Sequence, residues 1–131
     1  MQSVITVEVL PGDIDDLGHV NNAKFLEYIE HGRRDWYNRA VPQFEQLMAR
    51  GLGTVVVNVN INFLRESFQG DRLSVVTYPL RRGRTSYVLR HEISNQHGNP
   101  VADAEVTSVV MDREARKAAP VPPELARVFE D

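Results

Sequence analysis

The sequence contains no cysteine. Disulfides, thiolate catalysis and cysteine-ligated metal are therefore excluded. No apolar run approaches the roughly 20 residues a membrane-spanning helix needs, so no membrane association is expected. Met1 to Leu10 has neither a basic leader nor a long apolar segment, which predicts a cytoplasmic protein without a secretory signal. Charge of one sign is scarce. Lys and Arg number 15 and Asp and Glu 18, a net charge of −3. That gives no global electrostatic case for nucleic acid or an anionic membrane. The four histidines, His19, His31, His91 and His97, are scattered without HExxH or HxxEH spacing, so no metal site is expected. There is no G-x-S-x-G elbow and no phosphate-binding glycine loop. Repeats, linkers and low-complexity segments are missing, so residues 1–131 read as one domain. Its composition, 42% apolar and 25% charged, is ordinary for a soluble globular chain.

What is present centres on Asp13 to Trp36. Asp13, Asp15 and Asp16 crowd a turn marked by Gly18, and His19 follows. Asn21 and Asn22 then open a long amphipathic pattern. Asparagine is a preferred helix cap, since its side-chain oxygen accepts a hydrogen bond from an orphan N–H. A helix start presents free N–H donors and the positive end of the macrodipole. A short loop thus sets carboxylates beside a site suited to negative charge, which is what acyl transfer requires. The plainer alternative is a solvated cap.

The elements follow in order. Ser3 to Leu10 reads as a strand that Pro11-Gly12 ends. From Asn22 to about Arg39, Phe25, Ile29 and Trp36 recur at helical spacing. Gly32 falls on the same stripe. A glycine there costs about 1 kcal/mol against alanine, and it suits a helix lying close on something flat. Gln43 to Arg50 predicts a short helix closed by Gly51 and Gly53. Thr54 to Arg65 predicts a half-buried strand with Val55, Val57, Val59, Ile61 and Phe63 on its apolar face. Asn58, Asn60 and Asn62 lie on the other face, at a cleft, at a subunit seam or in solvent. Strands are expected at Asp71 to Arg82, Thr85 to Gln96 and Val101 to Asp112. In the last two, Tyr87, Leu89, His91 and Ile93 share one face, as do Ala102, Ala104, Val106, Ser108 and Val110. Arg81 to Arg84 is a basic turn. A short terminal helix starts near Pro122. The order is one strand, a long helix, a short helix and four strands in a meander. The economical α+β packing wraps one antiparallel sheet around the long helix. Its uncovered face and edges predict a homodimer or homotetramer.

The run G-D-I-D-D-L-G-H-V-N-N-A-K-F-L-E-Y-I-E resembles the signature of the hotdog-fold acyl-CoA thioesterases, in the 4-hydroxybenzoyl-CoA thioesterase group. The likeness continues through Q-G-D-R-L-S-V, R-T-S-Y-V-L-R-H-E-I and A-D-A-E-V-T-S-V-V-M-D. It implies the hotdog fold, one long central helix wrapped by a five-stranded antiparallel sheet. It implies hydrolysis of an acyl-CoA or acyl-ACP thioester, without a cofactor. The family's catalytic carboxylate falls on Asp15, as nucleophile or general base. The backbone N–H of Asn22 is implied to polarise the thioester carbonyl. The run is also similar to the D-x-N-x-H-V-N-N motif of plant acyl-ACP thioesterases. That implies a role for His19, although Leu17 replaces the motif's asparagine. At the basic turn Arg84 matches one of two phosphate-binding positions, and Gly83 replaces the other. Thr85 and Ser86 stand ready to add hydrogen bonds to the carrier, with Phe25 and Phe63 beside the acyl chain. A hotdog dehydratase and a non-catalytic acyl-binding or assembly protein are the alternatives.

Overall fold

A computed structural model describes residues 1–130. Its elements are β1 (Ser3–Glu8), α1 (Asn22–Ala40), α2 (Phe44–Ala49), β2 (Leu52–Phe63), β3 (Arg72–Arg82), β4 (Ser86–Ser94), β5 (Pro100–Asp112), β6 (Lys117–Ala118) and α3 (Pro123–Ala126). Single 3₁₀ turns occupy Pro11–Asp13 and Arg127–Phe129. The five long strands form one antiparallel sheet in the order β1-β3-β4-β5-β2, and the two-residue β6 adds to β5. This is the expected α+β hotdog architecture, a curled sheet with one long helix packed against it.

Helix α1 starts where asparagine predicts. Asn21 is its N-cap, and its Oδ1 accepts the Ala23 N–H at 2.9 Å. Phe25, Tyr28, Ile29, Gly32, Trp36 and Tyr37 form the buried stripe. Gly32 rests on β3. A Cβ added there would come within 2.8 Å of Val75 Cγ1 and 3.0 Å of Thr77 Oγ1. The glycine is thus the condition for close helix-to-sheet contact.

The inward residues of β4 and β5 are the predicted ones, and they divide between two core clusters. Phe25, Ile29, Leu73, Val75, Ile93, Ala102, Ala104 and Val106 pack near the start of α1. Trp36, Tyr37, Leu47, Tyr87, Leu89, Val110 and Leu125 pack near its end.

Strand β2 departs from expectation in three ways. It is not part of a four-strand meander. Only β3, β4 and β5 follow one another, while β2 pairs with β5 at the far edge. Its alternation also slips, because the register shifts between Val56 and Asn58. Such a bulge inserts a residue and exchanges the two faces of the strand. Opposite the inward Ser108 and Val106 stand Val56 and Val59, whereas Val55 stands opposite the outward Val109. Third, the strand is exposed rather than half-buried, with Val57 at 57% and Phe63 at 46%. The apolar edge is real, but a single chain has nothing to lay on it.

Candidate active site

The loop before α1 is held by backbone bonds. Ile14 and Val20 form an antiparallel bridge, and the Asp15 N–H donates to the His19 carbonyl at 2.9 Å. Gly18 turns the chain at φ +86°, the left-handed region glycine enters freely. The three carboxylates have different tasks. Asp13 accepts from the Leu10 N–H and the Tyr28 hydroxyl, both at 3.0 Å, with Lys24 Nζ 3.8 Å away. It anchors the loop to α1. Burial first, and the Asp13 bond second, hold the Tyr28 hydroxyl far above the usual tyrosine range, so it stays a donor. Asp15 accepts the Leu17 N–H on Oδ1 at 2.9 Å, which leaves Oδ2 facing His19 Nδ1 at 4.0 Å. Asp16 is exposed at the loop tip.

His19 is the hinge of the site. Its Nδ1 lies 3.3 Å from the Val20 carbonyl, and its Nε2 lies 3.9 Å from Glu66 Oε1. A cleft of about 220 Å³ opens here, lined by His19, Asn22, Phe25, Phe63, Glu66 and Ser67 among others. Asn22 is the first residue of α1. Its N–H belongs to the first turn, where the helix supplies no acceptor. The cleft therefore lies at the positive end of the helix and has apolar walls from two phenylalanines, whose rings meet edge to face at 5.7 Å. Asp15 is not among its lining residues and stands behind His19.

The structure brings His19, Asn22, Phe25 and Phe63 together, with Asp15 one contact away. It does not bring Arg84, Thr85 and Ser86 to them. Ser86 pairs with Val109, whereas Phe63 pairs with Ala102, which stands opposite Ile93. The seven residue-to-residue steps from Ser86 to Ile93 span roughly 23 Å. Within the basic turn, Arg81 pairs with Glu105 at 3.4 Å and Arg82 with Glu130 at 2.7 Å. Arg84 has no ion pair among the described residues.

Sequence reasoning missed Glu66 and Ser67. They follow β2 and are distant from His19 in the chain. The Val20 N–H donates to the Ser67 carbonyl at 2.8 Å and stitches the two segments together. Ser67 is buried, and its Oγ has no partner within the described residues. Nothing in R-E-S itself signals a site. Among the described residues no group of three or more His, Cys, Asp or Glu is placed to hold a metal ion. Among the described residues no helix is long and apolar enough to cross a membrane.

Comparison with known proteins places the chain in a family. The thioesterase-like superfamily profile matches residues 9–129. The chain is 33% identical over 118 residues to the long-chain acyl-CoA thioesterase FadM of Escherichia coli (strain K12), covering 89% of each chain. The crystal structure of YbaW from Escherichia coli superposes with a TM-score of 0.84 at 33% identity, over 99% of this chain and 96% of that one. A 1,4-dihydroxy-2-naphthoyl-CoA thioesterase from Synechocystis has the same fold, with a TM-score of 0.88 at 22% identity, over 100% and 97% of the two chains. The profile match over residues 9–129, together with a relative 33% identical over 89% of the chain, shows that this protein belongs to the thioesterase-like superfamily.

Proposed function

We propose that this chain is an acyl-CoA thioesterase that releases free acid and thiol in the cleft at the start of α1. The carrying observation is that His19 and Asn22 line one cleft mouth at the start of α1, with Asp15 behind the His19 ring. The thioester carbonyl sits over Asn22. One N–H donor aimed at a developing oxyanion is worth roughly 3–4 kcal/mol in comparable enzymes. Asp15 supplies the carboxylate chemistry, by direct attack or by activating water, and His19 orients the reacting groups.

An apolar acyl group suits the walls. A slot of about 130 Å³ also lies between α1 and β2, walled by Leu26, Ile29, Val56, Val59 and Val106, with Glu30 and Arg33 at its side. The relative at 33% identity is named for long-chain acyl-CoA, and a fatty acyl group is the reading we favour over an acyl-ACP or an aromatic thioester.

The working unit is a homodimer or a larger homo-oligomer of this single domain, in the cytoplasm. Strand β2 is an edge with exposed Val55, Val57 and Val59, and edges of this kind pair with a second copy. Antiparallel pairing of two β2 edges lays the Thr54 end of one copy along the Phe63 end of the other. It carries Arg84 of one copy toward the cleft of its partner, with Thr85 and Ser86 beside it. In that arrangement Arg84 meets the nucleotide phosphate of the carrier.

The test is thiol release from a panel of short, long and aromatic acyl-CoAs, with matched acyl-ACPs. Release from fatty acyl-CoA supports the reading. Tight binding of acyl-CoA without release would make the protein a carrier or assembly factor.

A further inference from the structure

His19 stands between two carboxylates, and only one of them opens on the cleft. Asp15 approaches Nδ1 from behind the ring, at 4.0 Å. Glu66 approaches Nε2 from the cleft side, at 3.9 Å. The Nδ1 position, 3.3 Å from the Val20 carbonyl, suits an N–H that donates to that oxygen. In the neutral ring Nε2 is then a bare acceptor, and so is the Glu66 carboxylate. A gap of 3.9 Å is too long for a direct hydrogen bond. It is compatible with a water that bridges the two acceptors, donating one O–H to each.

From this geometry we infer that Glu66 and His19 together hold the hydrolytic water and that Glu66 is a catalytic residue of the site. The inference rests on the thioesterase reading and selects the water route within it. A water held by both its hydrogens turns its lone pairs away from the two acceptors, toward the rest of the cleft where Asn22 stands. The chemistry balances without any further reagent. One water proton passes to Nε2, and the water oxygen bonds the thioester carbon. The carbonyl electron pair moves onto oxygen, where the Asn22 N–H meets it. Collapse breaks the C–S bond, and the thiolate takes the proton back from Nε2. Asp15, on the far side of the ring, steadies the imidazolium while it lasts.

The surroundings support this placement. The Val20–Ser67 backbone bond fixes the neighbours of both His19 and Glu66. The Glu66 side chain is 65% exposed and His19 only 21%. Water therefore reaches the carboxylate freely while the ring is held by its neighbours.

The experiment uses the full chain and whichever acyl-CoA it hydrolyses fastest. Glu66→Gln keeps an oxygen for the water but removes the charge. We expect kcat to fall roughly tenfold or more, KM to stay within about twofold, and Glu66→Asp to recover part of the loss. A single turnover in ¹⁸O-water, with enzyme in excess, should place solvent oxygen in the released acid. Two results would overturn the inference. One is Glu66→Gln turning over within about twofold of the parent across the pH profile. The other is a first-turnover acid that carries no solvent oxygen, since an acyl anhydride on Asp15 transfers an enzyme oxygen first. No thiol release by the parent from any thioester of the panel overturns the thioesterase reading and this inference with it, whereas release that survives Glu66→Gln overturns the water site alone.

Discussion

At the scale of single residues, the loop before α1 shows how identical side chains divide labour by their partners. Asp13 is spent on structure, because Leu10, Tyr28 and Lys24 occupy it. Asp15 keeps one oxygen for Leu17 and turns the other to His19. Asparagine at that position retains the Leu17 bond, so Asp15→Asn should fold normally. We predict that its turnover falls by about a hundredfold or more, with an unchanged circular-dichroism spectrum. A loss under tenfold would move the carboxylate role to Glu66. His91 gives a second prediction, about stability. It is fully buried in the sheet, bonded through Nδ1 to Thr77 Oγ1 at 2.9 Å, with Nε2 unpartnered. Burial first, and the Arg33 guanidinium second, push the imidazole down from 6.5 to about 3. Between those values the unfolded chain binds a proton that the folded chain refuses. Stability is therefore complete above pH 6.5 and declines as pH falls toward 3, by on the order of 5 kcal/mol across the window. His91→Gln should flatten that slope in thermal melts between pH 6.5 and 4. An unaltered slope would assign acid sensitivity to other groups.

At the scale of elements, the contact between α1 and β3 turns on one glycine. Gly32→Ala adds helix propensity worth about 1 kcal/mol but drives a methyl into Val75 and Thr77. Neither yields easily, since Val75 is fully buried and Thr77 is tied to His91. Overpacking should win, with a net loss of roughly 1–3 kcal/mol in urea unfolding. A gain in stability would mean that the helix can lift from the sheet at no cost. This glycine was legible in the sequence, because it breaks an otherwise apolar stripe. The bounds of α1 were legible too, through the Asn21 cap and the Phe25–Ile29–Trp36 spacing. The inward faces of β4 and β5 follow from strict alternation. Strand β2 was not legible to the same degree. Alternation counts residues and assumes none is extra, so the slip after Val56 reverses the reading of Val55 and Val57. Nor does a strand state its neighbour: the pairing of β2 with β5 depends on where the 64–71 connection carries the chain. The proximity of Asp15, His19 and Asn22 arises within one short run and could be read locally. Glu66 could not, since only the folded chain brings it to His19.

At the scale of the whole molecule, one chain carries the His19 cleft and the Arg84 turn at opposite ends of its sheet. If two copies complete the site, Arg84→Ala should raise KM for acyl-CoA and leave kcat nearly unchanged, because a phosphate contact is equal in ground and transition states. The defect should shrink at high salt and vanish for acyl-pantetheine, which lacks the nucleotide. Equal loss on both substrates would return Arg84 to a solvated hairpin tip. The same arrangement predicts a dimer or larger assembly in sedimentation at micromolar concentration, and Val57→Lys on the exposed edge should dissociate it. A monomer with full activity would contradict the shared site.

The bond between the Val20 N–H and the Ser67 carbonyl bears on how this scaffold tolerates change. It is made entirely by main-chain atoms, so it is indifferent to the side chains on either segment. The residue beside it, Glu66, can be exchanged while the ring of His19 keeps its place. Diversity at 65 and 66 is thereby uncoupled from the architecture. The reactivity of this cleft can therefore be retuned by single substitutions, without first having to re-solve the fold.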